Sequence, residues 1–123
     1  MAISHLEATR NSLCTVVLDD IDGGTGAGKM VLSVGVTEVA TIPLNDPSFD
    51  TPATGAMALD VTPVPEDASA TGNAVAVDTF ELKDGDDLVI VTGVVPDDLV
   101  LSKNPIEAAD VIQLTTFTYT ASL

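Results

Sequence analysis

The hydrophobic pattern of this chain changes its period at one glycine-rich segment, residues 19–30, and this change sets the order of helix and strands. Before the segment, apolar residues recur every three or four positions, which is typical of one helix face. After Lys29 they alternate with polar residues, which is typical of strands. We therefore interpret the segment as a helix-to-strand connector, in which glycine allows backbone angles that other residues avoid. Its sequence is Asp19-Asp20-Ile21-Asp22-Gly23-Gly24-Thr25-Gly26-Ala27-Gly28-Lys29-Met30.

The same segment contains a near match to a phosphate-binding loop. Gly23, followed after four residues by Gly28-Lys29, fits the pattern G-x-x-x-x-G-K-[ST], but Met30 stands where Mg²⁺ needs a hydroxyl ligand. A phosphate loop also follows a strand and opens a helix, whereas the predicted order here is the reverse. Nucleotide binding is therefore not predicted.

A helix is predicted over residues 4–21. Ser4 and Glu7 match a capping box, in which each side chain bonds the backbone N–H of the other residue. Cys14 lies inside the helix and is the only cysteine, so no intrachain disulfide can form, and we expect a buried side chain. The predicted apolar stripe consists of Leu6, Leu13, Val17 and Ile21, joined by Arg10 and Cys14.

Residues 29–120 are predicted to form strands. Alternation of apolar residues indicates short strands at 30–34, 40–44, 57–61 and 99–101. The clearest signal is a β-hairpin, with strand patterns at 73–83 and 86–93 joined by the turn pair Asp84-Gly85. Residues 106–120 are nearly all β-formers after Asp110 and are predicted to form a central strand, because both faces are partly apolar.

Two proline-containing segments, 45–55 and 63–73, are predicted to be loops, and Phe49 in the first is expected to close one end of the core. The pattern of about seven strands with turns between them predicts a mainly β fold, a β-sandwich or jelly roll preceded by one N-terminal α-helix. A chain of 123 residues has the size of one domain, so residues 1–123 are predicted to form a single domain, with the sandwich over 29–120.

The charge balance argues against several classes of partner. The chain has 19 acidic and 4 basic residues, a formal charge of −15, and its basic residues are scattered rather than clustered. Binding to nucleic acid or to an anionic membrane surface is therefore not expected. A hydrophobic content of 46% distinguishes the chain from a disordered acidic tail. No apolar run reaches the length of a membrane span, and we expect synthesis in a cytoplasm.

Residues that could perform catalysis or bind a metal are few. His5 is the only histidine and has no apolar pocket around it in sequence, so we predict neither an enzyme nor a cofactor. Two acidic fragments resemble parts of a calcium loop, the first containing Asp20 and Asp22 and the second Asp84 and Asp86. Neither completes the twelve-residue pattern, and solvated turn carboxylates are the simpler interpretation. A site built from both loops together stays open.

Both ends of the chain carry a resemblance. The opening helix that ends in Asp-x-Ile-Asp-Gly-Gly-x-Gly-x-Gly-Lys, and the closing Ala-Ala-Asp-Val-Ile-Gln-Leu-Thr-Thr-Phe-Thr-Tyr-Thr, resemble short virion proteins encoded near the capsid genes of tailed bacteriophages. The resemblance implies a head decoration or cement protein of sandwich or jelly-roll fold. Such a protein sits on the capsid surface of the virion, ties neighbouring major capsid protein subunits together, and is often a dimer or trimer.

For such a protein, the predicted contact residues are Leu6, Leu13 and Val17 of the helix and Phe49 of the loop 45–55, with the loop 63–73 as a further candidate. One alternative is another phage structural component, such as a tail or head-completion protein. A second is a calcium-dependent glycan-binding β-sandwich, although a chain with no Trp and one Tyr has few flat surfaces to stack on sugars. A third is that the acidity reflects a saline environment and indicates no partner.

Overall fold

The computed structural model of the chain describes residues 6–68, 70–72, 76–95, 97–99, 101 and 104–120. This part is mainly β, with one helix and eight strands arranged in antiparallel sheets, where the sequence pattern predicted about seven strands. The helix is α1 (Glu7–Asp22). The strands are β1 (Lys29–Val34), β2 (Thr37–Pro43), β3 (Ala56–Ala58), β4 (Glu66–Asp67), β5 (Thr79–Lys83), β6 (Val89–Val94), β7 (Ile112–Gln113) and β8 (Thr118–Thr120).

The largest sheet has four strands in the order β2-β1-β5-β6. Strand β1 lies inside it and is buried on both faces, since Met30 and Leu32 on one side and Val31 and Ser33 on the other are all below a tenth exposed. The predicted hairpin is confirmed as β5 paired with β6, but residues 76–78 and 86–88, predicted to belong to its strands, lie outside them. Its turn is longer than the predicted Asp84-Gly85 pair: the Asp84 amide bonds the Leu88 carbonyl at 3.0 Å.

Two small sheets complete the fold, one of β3 with β8 and one of β4 with β7. The prediction of one central strand over residues 106–120 is therefore wrong, because this stretch supplies two short strands to two different partners. Burial explains the break: Leu114 and Phe117 are both buried, and a spacing of three residues is incompatible with continuous alternation. In the segment 63–73, predicted to be a loop, β4 forms, and neither Leu99 nor Leu101 lies in a strand.

Three phenylalanines pack against one another in the core. Phe80 on β5 meets Phe117, just before β8, with ring centroids 5.6 Å apart and an edge-to-face geometry. Phe49 meets Phe117 at 6.0 Å. Each buried aromatic ring contributes about 1.5–3 kcal/mol through burial, and each aromatic pair adds about 0.5–1.5 kcal/mol. The prediction that Phe49 lies in the core is confirmed, as its side chain is 1% exposed.

Helix α1 begins at Glu7, with Leu6 at the N-cap and no side-chain hydrogen bond there. The predicted capping box would need Ser4 at the N-cap, and Ser4 itself lies outside the described residues. The packed face of the helix is also rotated from the predicted stripe. Cys14 and Ile21 are fully buried, as predicted, and Val17 and Leu18 pack partly against the core.

Candidate functional site

The predicted contact residues fall into two groups. Leu6 and Leu13 are 78% and 41% exposed, and Val16, which the predicted stripe omitted, is 57% exposed. These three residues are separated by seven and three positions, so they share one helix face, which we call the apolar helix row. Val17 packs against the core, and Phe49 lies inside it, so neither of these two presents an exposed apolar surface to a partner.

The two acidic fragments considered for calcium do meet in the structure. A side chain at Gly24 would lie 2.8 Å from the Gly85 nitrogen, so the loops touch through glycine backbone. The Thr25 amide donates to Asp86 Oδ2 at 3.2 Å, and Asp84 Oδ1 accepts the amides of Asp86 and Leu88, both at 2.9 Å. These carboxylates therefore order the loop backbone.

Asp22, at the end of helix α1, also orders a loop backbone. Both of its carboxylate oxygens accept the Ser48 amide, at 3.1 and 3.2 Å. Asp20 lies two residues earlier and is exposed, and its carbonyl accepts the Gly23 amide at 3.4 Å. Within the described residues, no group of three or more His, Cys, Asp or Glu side chains is placed to hold a metal ion.

Two carboxylates at or near the connector have pKa values that move in opposite directions. Burial raises the pKa of Asp22 above 3.8, against the lowering effect of the Ser48 hydrogen bond, and the nearby charges of Asp46 and Asp19 raise it further. Asp87 is exposed, and the hydrogen bond and positive charge of Lys29 lower its pKa below 3.8. The charged form is therefore disfavoured at Asp22, in the connector, and favoured at Asp87, in the turn between β5 and β6.

Two grooves flank strand β6, an edge strand of the large sheet. The first, of about 540 Å³, lies over the ends of β1, β2, β5 and β6, and Glu38, Glu81 and Asp98 are among its lining residues. The second, which we call the edge groove, has a volume of about 530 Å³ and lies between β6 and β8. Its walls and floor are formed by Val91, Thr92, Gly93, Thr118, Tyr119, Thr120, Phe80 and Phe117, with Asp97 and Asp98 also lining it.

Sequence reasoning found the strand beside these grooves but not the grooves themselves. One signal was present: the run from Leu88 to Val95 contains no charged residue in a chain of 19 acidic residues. In the structure Leu88, Val89 and Val94 are exposed by 63%, 40% and 47%. An uncharged, exposed edge strand is a common site for pairing with another chain.

Comparisons of the chain with profiles of known protein families, with characterised proteins and with solved structures gave no match. Among the described residues, no helix is both long enough and apolar enough to cross a bilayer. The fold and surface define an acidic, mainly β protein with one helix, an exposed apolar row on that helix and an uncharged edge strand.

Proposed function

We propose that this protein is a head decoration, or cement, protein of a tailed bacteriophage, located on the capsid surface of the virion. In this role it binds neighbouring subunits of the major capsid protein and stabilises their contacts. A protein that binds the assembled shell but not separated subunits stabilises the assembly by mass action. Such a function requires no catalytic group.

The observation that carries this proposal is the apolar helix row of Leu6, Leu13 and Val16. Three large apolar side chains exposed on one face of a helix are typical of a surface that another protein covers. The row lies on a molecule with a formal charge of −15, which favours a basic partner surface. The resemblance of both chain ends to phage virion proteins supports the capsid shell as that partner.

As a finer description of the fold, we propose a β-sandwich of the jelly-roll type. The contacts of Phe80 with Phe117 and of Phe117 with Phe49 support it, because they join the large sheet to the segment that leads into β8. A sandwich buries apolar residues between two sheet layers in this way.

We also propose that the protein acts as a dimer or trimer. Light scattering on the purified chain measures its molar mass and so tests this oligomeric state directly.

The test is co-sedimentation with tailed-phage capsids assembled without this chain. We expect binding that saturates at a fixed ratio of chain to shell subunit and that weakens as salt is added, because charge attraction is screened. Leu13→Asp places a charge in the helix row and is expected to weaken binding by about tenfold or more.

The matched control is Val36→Asp, since Val36 is 100% exposed and lies in the turn between β1 and β2, away from the helix. We expect this variant to bind like the parent chain. The proposal is wrong if the parent chain ignores capsids at every salt concentration. Equal loss of binding in both variants would instead show that the apolar helix row is not the contact surface.

A further inference from the structure

We propose that the edge groove between β6 and β8 binds an extended, positively charged segment of a partner protein, which adds as a strand to one or both walls. The identification of that partner as the capsid shell rests on the proposed function. The chemistry of the occupant does not, because it follows from the backbone edges, the lining side chains and the charges of the groove.

The first wall is β6, whose outer side pairs with no other described strand. The Val95 amide bonds the Asp78 carbonyl at 3.0 Å, which places it toward β5. Because backbone groups alternate in direction along a strand, those of Gly93 also face β5 and those of Thr92 and Val94 face away. Asp98 occupies the outward groups of Val94, accepting its amide at 2.9 Å and donating to its carbonyl at 2.8 Å. Thr92 is left as the outward-facing position of this wall.

The second wall is the edge of β8 that pairs with no other described strand. This strand pairs with β3 through Ala56, Met57 and Ala58, and none of these three residues lines the edge groove. The groove therefore lies on the side of β8 that β3 leaves unpaired. Strands β6 and β8 belong to different sheets. An extended segment in the groove would pair with either wall at the usual spacing of about 4.8 Å.

The floor of the groove accepts small apolar side chains. Phe80 lies directly beneath Gly93, where the absence of a side chain leaves room for its ring, and Phe117 packs edge-to-face against Phe80. The walls consist of short side chains, Val91 and Thr92 on β6 and Thr118 and Thr120 on β8. Alternate side chains of an extended segment point to the same face, so valine or threonine at alternate positions would contact this floor.

The charge of the groove selects a basic occupant. Asp97 and Asp98 line it, and of the basic residues that the structure describes, Arg10, Lys29 and Lys83, none does. A second copy of this chain also carries a net charge of −15, so repulsion disfavours one of its segments as the occupant of this acidic groove. A lysine- or arginine-bearing segment gains attraction at the mouth and backbone pairing along the walls.

Tyr119 makes the proposal measurable. It is the only tyrosine in a chain without tryptophan, and it lines the edge groove, so intrinsic fluorescence reports on this site. The probe is the capped peptide Lys-Val-Thr-Val-Thr-Val-Lys, which contains no aromatic residue. We expect saturable change in Tyr119 fluorescence, with NMR shifts confined to residues 91–93 and 118–120 and slower amide exchange at Thr92.

Two control peptides separate charge from backbone pairing. One replaces both lysines by glutamate, and the other replaces the central valine by proline, which removes a backbone donor. Both are expected to bind at least about tenfold more weakly than the parent peptide. In the protein, Asp97→Lys is expected to weaken binding of the lysine peptide by about tenfold, whereas Asp50→Lys, at an exposed site that does not line the groove, leaves it unchanged.

A second variant, Thr92→Pro, removes the outward amide of β6 and is compatible with an edge strand. Its expected loss of peptide binding, with unchanged far-UV circular dichroism, checks the pairing directly. The inference is overturned if the lysine peptide leaves Tyr119 and Thr92 unaffected at millimolar concentration, or if the acidic or proline peptide binds equally well. A concentration-dependent dimer that protects Thr92 without peptide would also overturn it, in favour of a second copy.

The capsid assay distinguishes this inference from the proposed function. If Asp97→Lys and Thr92→Pro lose both peptide and capsid binding, the groove is the shell contact. If the parent chain binds the peptide but no capsid, the proposed function is wrong and the groove chemistry stands. If both variants still bind capsids and the lysine peptide fails to bind the parent chain, the groove inference is wrong and the proposed function stands.

Discussion

The backbone amide of Gly55 donates a hydrogen bond of 2.8 Å to the Oδ1 atom of Asn11, and this bond ties helix α1 to the turn that precedes β3. The turn is tight, since Ala53 and Ala56 exchange both backbone bonds, at 2.9 and 3.0 Å. Thr54 and Gly55 between them have positive φ, 54° and 78°. The Cys14 thiol donates to the Gly55 carbonyl at 3.5 Å, so two helix residues bond one glycine.

We predict that Asn11→Ala lowers the free energy of unfolding by about 1–2 kcal/mol, because the Gly55 amide loses its acceptor in a partly buried place. The matched control is Ser12→Ala, on the exposed side of the same helix, whose hydroxyl donates to the Ala8 carbonyl at 3.1 Å. This control should change stability by less than about 0.5 kcal/mol. Urea unfolding followed by circular dichroism measures both, and equal losses would contradict the role given to Asn11.

The same turn predicts a difference between two glycines. Gly35 and Gly55 both have positive φ, 59° and 78°. A methyl group at Gly35 would meet nothing within 4 Å, whereas one at Gly55 would collide with the guanidinium of Arg10. We expect Gly35→Ala to cost about 1 kcal/mol, the backbone penalty alone, and Gly55→Ala to cost more, because the Arg10 side chain must also shift. Thermal or urea unfolding measures the loss of stability in each variant. Similar losses in the two variants would show that Arg10 moves aside freely.

The parts of the fold that sequence predicted are those with a local cause. The change of hydrophobic period at residues 19–30 depends on neighbouring residues alone, and the structure has a helix before it and strands after it. The hairpin of β5 and β6 is local in the same sense, because its strands are joined by a short turn. Phe49, which is expected from sequence to close one end of the core, is buried.

The parts that sequence missed depend on distant partners. Nothing in residues 106–120 indicates that Gln113 would pair with Glu66 and Tyr119 with Met57, and those separate partners divide the predicted central strand. The predicted helix stripe contains Leu13, whereas the face that packs against the core contains Leu18. Both leucines fit the apolar pattern, and only contact with the sheets determines which one packs. The edge groove depends on which strand ends the sheet, and the hairpin signal does not contain that information.

We predict that Asp22 reduces stability as pH rises. Its pKa is raised above 3.8 in the folded protein, mainly by burial, so the folded state binds its proton more tightly than the unfolded state. The stabilisation from the protonated form is complete below the unfolded pKa and is lost as pH rises through the folded pKa. Asp22→Asn stays neutral, so its stability relative to the parent chain should increase as pH rises from below 3.8 through the raised pKa of the folded state.

Asp50→Asn is the control for this experiment, because it removes one negative charge at an exposed position. Comparing the two variants separates the local effect at Asp22 from the general effect of net charge. Urea unfolding at several pH values within that window gives the difference curve. A curve for Asp22→Asn that runs parallel to that of Asp50→Asn would show that burial of Asp22 has no energetic consequence.

The last prediction concerns salt. At a formal charge of −15, repulsion among carboxylates opposes folding, while the ion pairs in the described part involve only Lys29 and Lys83. Screening therefore weakens more repulsion than attraction, and we expect the free energy of unfolding to rise as NaCl increases from about 0.05 M to about 0.5 M. The double variant Asp19→Asn with Asp50→Asn carries two fewer charges and should show a smaller rise. If stability instead stays flat or falls, repulsion among the acidic side chains contributes little to the free energy of unfolding.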